Sequence, residues 1–152
     1  QPRAFLVRAA AEALITAHIA AQPDGFGLTI YDAYRPWRVT KALWDATPAG
    51  PQKNYVANPK KGSRHNRGCA VDLTLRRLGD GAQVEMPSAF DDFSLRAHRS
   101  YADDTPKARR HAQLLERYMG GVGFAGMSNE WWHFDYKDWA DYPILDQPFS
   151  EI

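Results

Sequence analysis

At 152 residues and a net charge of +1, the chain is about one domain's worth of sequence and lacks the charge excess that would hold a polyanion. Lysine and arginine are scattered, apart from short pairs such as Lys60-Lys61, Arg76-Arg77 and Arg109-Arg110, so no nucleic-acid partner is expected. Hydrophobic residues at 44% and charged residues at 24% are ordinary globular values, and no apolar run reaches the roughly 18 residues of a membrane span.

The stretch from Arg3 to Ala21 is rich in Ala and Leu, with Leu6, Ala10, Ala13, Ala17 and Ala20 near helical spacing. This predicts a first helix, stopped by Pro23 and Gly25. Arg3, Arg8, Glu12 and His18 break any signal-like apolar segment there, and a start at Gln1 in place of Met fits a cleaved signal peptide, proteolysis and disorder alike. Gly27 to Ala33 alternates and predicts a strand, after which Pro36 is expected at the first position of a second helix reaching about Asp45.

Residues 47–62 hold three prolines and two glycines without a period and are expected to form a loop. Cys69 to Leu75 predicts a strand with Ala70, Asp72 and Thr74 on one face and Val71, Leu73 and Leu75 on the other. Gly79-Asp80-Gly81 is a hairpin signal, so residues 82–86 should return beside that strand. Residues 86–105 fit neither period. Thr105-Pro106 then opens a helix to about Met119, stopped by Gly120-Gly121, and Trp131 to Tyr136 forms a last strand. Hairpins with separate helices imply an α+β domain with a central, largely antiparallel sheet flanked by helices, the whole of 1–152 being one domain.

Two stretches carry chemistry: SRHNRGCAVDLTL from Ser63 to Leu75, and EWWHFDY from Glu130 to Tyr136. His65, Asp72 and His133 offer two imidazoles and a carboxylate, the set of a zinc site that keeps a position open for water; a closed structural site would draw on several cysteines, and Cys69 is alone. Asp135 is a rival ligand, or a residue that orients an imidazole. Glu130 stands three residues before His133, so in a straight strand it would face the other way; to reach the site it must lie before the strand or on a bulge. Taken singly, each histidine is more often a hydrogen-bonded structural residue than a ligand. Arg35 has an ordinary reading as a partner of Asp32 or Asp45, Ser63 as a turn hydroxyl, and Asp91 and Asp92 as a solvated loop edge.

As a set the motifs resemble the Ser-x-His-x-x-Gly-x-Ala-x-Asp and Glu-x-x-His signatures of the zinc D-alanyl-D-alanine peptidases. DAYRP from Asp32 to Pro36, DLTL from Asp72 to Leu75 and MPSAFDDF from Met86 to Phe93 resemble the VanX-type dipeptidases within that superfamily. The resemblance implies one Zn²⁺ per chain on His65, Asp72 and His133, Glu130 as general base and acid, and Arg35 stabilising charge on the reacting carbonyl. It further implies that Ser63 helps hold the carboxylate of a small dipeptide substrate, D-alanyl-D-alanine, and that Asp91 meets its ammonium. Met86-Pro87-Ser88 departs from the family's usual Met-Gly-Thr, and the family's chain ahead of the first helix has no counterpart here. The alternatives are a D,D-carboxypeptidase acting on peptidoglycan stem peptides and a non-catalytic zinc or cell-wall-binding module. The expected compartment is the cytoplasm, with the periplasm as the alternative.

Overall fold

The β-branched and leucine-rich run AVDLTLRR makes strand β2, Ala70–Arg77, whose first six residues are all buried. A strand buried on both faces must be central, and β2 is: it lies between β1 (Phe26–Asp32) and β4 (Glu130–Tyr136), with β3 (Phe124–Met127) beyond β4. All three pairings in the order β1-β2-β4-β3 are antiparallel. The computed structural model describes residues 3–152.

Val71, Leu73 and Leu75 join Phe134 in the hydrophobic core against helices α1 (Arg8–Ala21) and α3 (Pro106–Gly120). The inward stripe of α1 is Ala10, Leu14, Ala17 and Ala21, rotated from the expected one at its later positions. Its small side chains let the helix approach the sheet closely. α3 begins as expected, with Thr105 Oγ1 accepting from the Ala108 amide at 3.1 Å and Pro106 at the first helical position. Asp72 shares the opposite face of β2 with Ala70 and Thr74, and that face carries the polar site.

Four expectations need correction. α1 starts at Arg8 and not Arg3, because two groups in the preceding stretch bond elsewhere: the Val7 amide donates to Gly68 O at 2.9 Å and Phe5 O accepts from the Tyr34 amide at 2.8 Å. Pro36 is the residue before α2 (Trp37–Ala46), its ψ of 142° being extended and not helical. Residues 82–86 make a bridge between Gln83 and Arg76 in place of a strand. β3 forms where the sequence predicts no strand; Ala125 and Gly126 of its four-residue run FAGM are exposed, so it shows no alternation. Among the described residues no helix is long and apolar enough to cross a membrane.

Candidate active site

The site begins where the chain enters β2. A short 3-10 turn, His65–Arg67, ends at Gly68 with φ 64°, where a side chain would be strained and a Cβ would lie 3.1 Å from the Val7 nitrogen. This turn presents His65 to β2, seven residues before Asp72, which enters from the strand itself and pairs across the sheet with His133. Paired residues share a face, so three distant side chains converge. His65, Asp72 and His133 are all buried, and each offers a ligand atom within 4.8 Å of the others.

The spacing fits zinc closely. Ligands about 2.0–2.1 Å from a tetrahedral ion lie roughly 3.3 Å from one another. Here His65 Nε2 is 3.3 Å from His133 Nδ1 and 3.4 Å from Asp72 Oδ2, while His133 Nδ1 is 2.9 Å from Asp72 Oδ1. The outer nitrogens settle which lone pairs face inward. His65 Nδ1 lies 2.6 Å from Ala33 O, a group that only accepts, so this nitrogen carries the proton and Nε2 is left as a donor to a cation. His133 Nε2 lies 2.9 Å from Asp135 Oδ1 in the same relation. Asp135 therefore sits behind an imidazole and outside the cluster, as a group that sets tautomer and ring orientation.

The electrostatics of these side chains agree. Burial pushes the Asp72 carboxyl up, but the two imidazoles outweigh it and hold it well below the usual carboxylate range. Burial pulls His133 down, and the hydrogen bonds that Asp135 and Asp72 accept from it overcome that and raise it to about 9. The site thus stabilises positive charge between two carboxylates, and a proton on Nδ1 and a metal ion compete for one lone pair.

Glu130 reaches the same place by a bulge. Opposite β3 the pairing jumps, with Gly126 against Phe134 but Met127 against Glu130, so Trp131, Trp132 and His133 have no β3 partner. The jump brings Glu130 Oε2 to 3.8 Å from His133 Nδ1. Burial raises the Glu130 carboxyl, with the nearby imidazole of His133 pulling the other way.

A cavity of about 680 Å³ opens over the cluster and is lined by Arg35, Ser63, Asp91 and Glu130 among others. Arg35 is ion-paired with Asp32, as its ordinary reading requires, with Nε at 2.9 Å from Asp32 Oδ2; two of its five N–H groups are used there and the rest remain for a ligand. Ser63 Oγ accepts from the His65 amide at 3.2 Å, the turn role, and its own proton is free for another acceptor. Asp91 and Asp92 separate: Asp92 Oδ1 accepts from the Ser94 amide at 2.9 Å, whereas Asp91, at φ 59°, lines the cavity. Burial raises the Asp91 carboxyl, and Asp72 adds to this. In the Met86-Pro87-Ser88 stretch, Ser88 Oγ accepts from Trp131 Nε1 at 3.0 Å.

Some site residues escaped the sequence reading. Asn66, fully buried, donates from Nδ2 to Arg35 O at 2.7 Å and to Thr40 Oγ1 at 2.8 Å, and so ties the turn to α2. Its position inside the first motif was the available signal. Arg64 lies over the Trp139 ring at 4.5 Å and 3.5 Å from Asp135. His18 and His111 lie away from the cluster, bonded to Leu28 N and Glu85 O. Cys69 is buried, and burial raises its thiol to about 11, so it is no nucleophile.

A family model described as D-ala-D-ala dipeptidase (Peptidase_M15) matches residues 1–152. The chain is 43% identical over 150 residues to a D-alanyl-D-alanine dipeptidase of Escherichia coli (strain K12), covering 99% of this chain and 76% of that protein. It is 32% identical to one from Enterococcus faecium over 158 residues, 88% of this chain and 77% of the other. Among solved structures, VanYB in complex with D-Alanine-D-Alanine shares the fold at a TM-score of 0.52, with 17% identity over 90% of this chain and 74% of that one. The D,D-dipeptidase VanXYg, in complex with a D-Ala-D-Ala phosphinate analog, shares it at 0.56, with 21% identity over 89% of this chain and 51% of that one. Match over the full length, together with a buried His-Asp-His cluster and an acid beside it, places the chain in the D-Ala-D-Ala dipeptidase family of M15 peptidases.

Proposed function

We propose that residues 1–152 form one catalytic domain that hydrolyses D-alanyl-D-alanine to two D-alanines, with one Zn²⁺ held by His65, Asp72 and His133. The observation that carries this reading is the cluster's spacing, two lone pairs and a carboxylate set at the edges of a zinc tetrahedron. Bound there, zinc supplies a Lewis acid and a water acidified towards about 7.

The remaining work falls to the protein's own groups. Glu130 takes the proton released when water attacks and passes it to the leaving amine. Its raised pKa suits both halves of that transfer. The free N–H groups of Arg35 stabilise the negative charge that develops on the scissile carbonyl oxygen, a task for a fixed cation and not for a base. Asp135 and the Ala33 carbonyl keep the two imidazoles aimed at the metal position. Ser63 helps hold the substrate's carboxylate and Asp91 meets its ammonium, from different loops around the same cavity.

The cavity wall favours the dipeptide over a longer stem peptide. Tyr55 and Phe93 pack with ring centroids 4.9 Å apart and planes tilted by 31°, joining the loop before the first motif to the irregular 86–105 segment, and both line the cavity. The compartment we infer is the cytoplasm, supported by a substrate that is a free dipeptide and not an end of the wall polymer.

The test is release of free D-alanine from D-alanyl-D-alanine and, in parallel, from a stem pentapeptide with the same terminus, each with and without chelator. Chelator-sensitive cleavage of the dipeptide alone is the expected result. Cleavage of the pentapeptide would move the protein to the carboxypeptidases, and inactivity on both despite bound zinc would leave a binding module.

A further inference from the structure

The bulge that turns Glu130 towards His133 has a cost: carbonyls on β4 that would bond β3 in a regular ladder lose their partners. One side chain from outside the sheet meets them. Arg99, in the irregular segment before α3, donates from Nη2 to Trp131 O and His133 O, each at 3.0 Å, and from Nε to Met127 O at 2.8 Å. Its own amide donates to Ser128 O at 3.0 Å, so the residue threads the whole β3-β4 turn. The guanidinium lies 4.4 Å from the centroid of the Phe134 ring, and its side chain is 15% exposed.

The space is built for it. A Cβ at Gly126 would stand 2.2 Å from the Arg99 Cζ, and 2.4 Å from both Nε and Nη2. Gly126 is also the last regular partner of β4 before the pairing jumps. Lysine would not substitute, since its donors sit on one compact ammonium, whereas Arg99 reaches these carbonyls from two separate nitrogens of a rigid fork, Nε and Nη2. Neither residue itself lines the cavity; Arg99 meets it only from behind, through the backbone carbonyls of Met127 and His133.

We infer that Arg99 is a positioning residue for the acid–base group: by holding the Met127, Trp131 and His133 carbonyls it fixes the bulge that sets Glu130 beside His133, and Gly126 makes room for it. The inference rests on the reading of Glu130 as the proton carrier, and extends it to a residue that touches neither substrate nor metal. Loss of Arg99 should let β4 relax towards regular pairing, carrying Glu130 away while leaving Asp72 and His133 paired across β2.

The experiment compares Arg99→Ala and Gly126→Ala with wild type in three readouts: kcat and KM on D-alanyl-D-alanine, zinc stoichiometry, and the crystal structure of the variant. Expected are a kcat lower by about 100-fold, the scale of an ångström-level misplacement, with KM and zinc content little changed. The Glu130 carboxylate should be displaced from its 3.8 Å approach to His133, and sub-denaturing guanidinium should restore turnover to Arg99→Ala but not to Gly126→Ala, where the space is filled. Arg99→Lys should resemble Arg99→Ala. Glu130 unmoved in the variant structure, or kcat within about threefold of wild type, would overturn the inference, the threefold limit being well short of one positioned proton transfer. An inactive wild type would instead count against the acid–base reading of Glu130, and the variant structure would still decide the role of Arg99. Gly126→Ala keeps the buried charge and serves where Arg99→Ala does not fold.

Discussion

The floor of the cavity and its walls are built on opposite plans. On the floor, the three candidate ligands come from a central strand, its neighbour and one tight turn, and both imidazoles are pinned from behind by a carbonyl or a carboxylate. On the walls, Ser63, Asp91, Tyr55 and Phe93 come from loops and a short 3-10 turn outside the sheet, where Ser63 Oγ accepts from the His65 amide and Phe93 packs on Tyr55. Bond-making chemistry needs fixed geometry and is set on the sheet, whereas choice of substrate is left to loops that can vary without disturbing the sheet.

Breaking the floor should have the largest effect. His65→Ala, Asp72→Ala and His133→Ala should each lose zinc and turnover together, measured by metal analysis on the same sample as the assay. A variant that keeps a full equivalent of zinc would remove its residue from the ligand set. Next comes the layer behind the floor: Asp135→Ala should cost about 10–100-fold in zinc affinity or activity, because the ring it orients is free to turn. Unchanged affinity and rate would mean that the Asp135 contact is incidental.

The walls should respond in selectivity more than in rate. Phe93→Ala removes the ring contact with Tyr55, and should leave dipeptide turnover close to wild type while admitting tri- and pentapeptides. If longer peptides remain excluded, the aromatic pair is not what limits length. The smallest effect is expected at Cys69, whose thiol burial raises to about 11 and which therefore stays protonated at pH 8. Alkylating agents should not inactivate the enzyme at that pH, and Cys69→Ala should cost about 1 kcal/mol of stability without changing kcat.

The same division explains what could be read from residues alone. The floor was legible because its donors lie in two short stretches whose residue types have few other reasons to occur together, and because a strand's alternation placed Asp72 away from the apolar face. Glu130 was legible as a conflict: odd spacing from His133 required a place before the strand or on a bulge, and the pairing jump at Met127 provides the bulge. Residues whose partners are distant carbonyls were not legible. Nothing local marks Arg99 as the partner of Trp131 and His133, and the late start of α1 follows from bonds to Gly68 and Tyr34 that no helical periodicity encodes. The walls fell between these cases; Asp91 and Asp92 are equivalent as letters, and separate only because one caps a turn while the other faces the cavity.

The most direct test of the central claim, that metal binding and proton transfer are separate tasks of adjacent residues, is zinc stoichiometry and D-alanyl-D-alanine turnover measured together on Glu130→Ala. The account expects one zinc per chain retained and turnover lower by about 10²–10⁴-fold, the range of a lost general acid–base. Loss of zinc along with activity, or near-normal turnover with zinc in place, would contradict it.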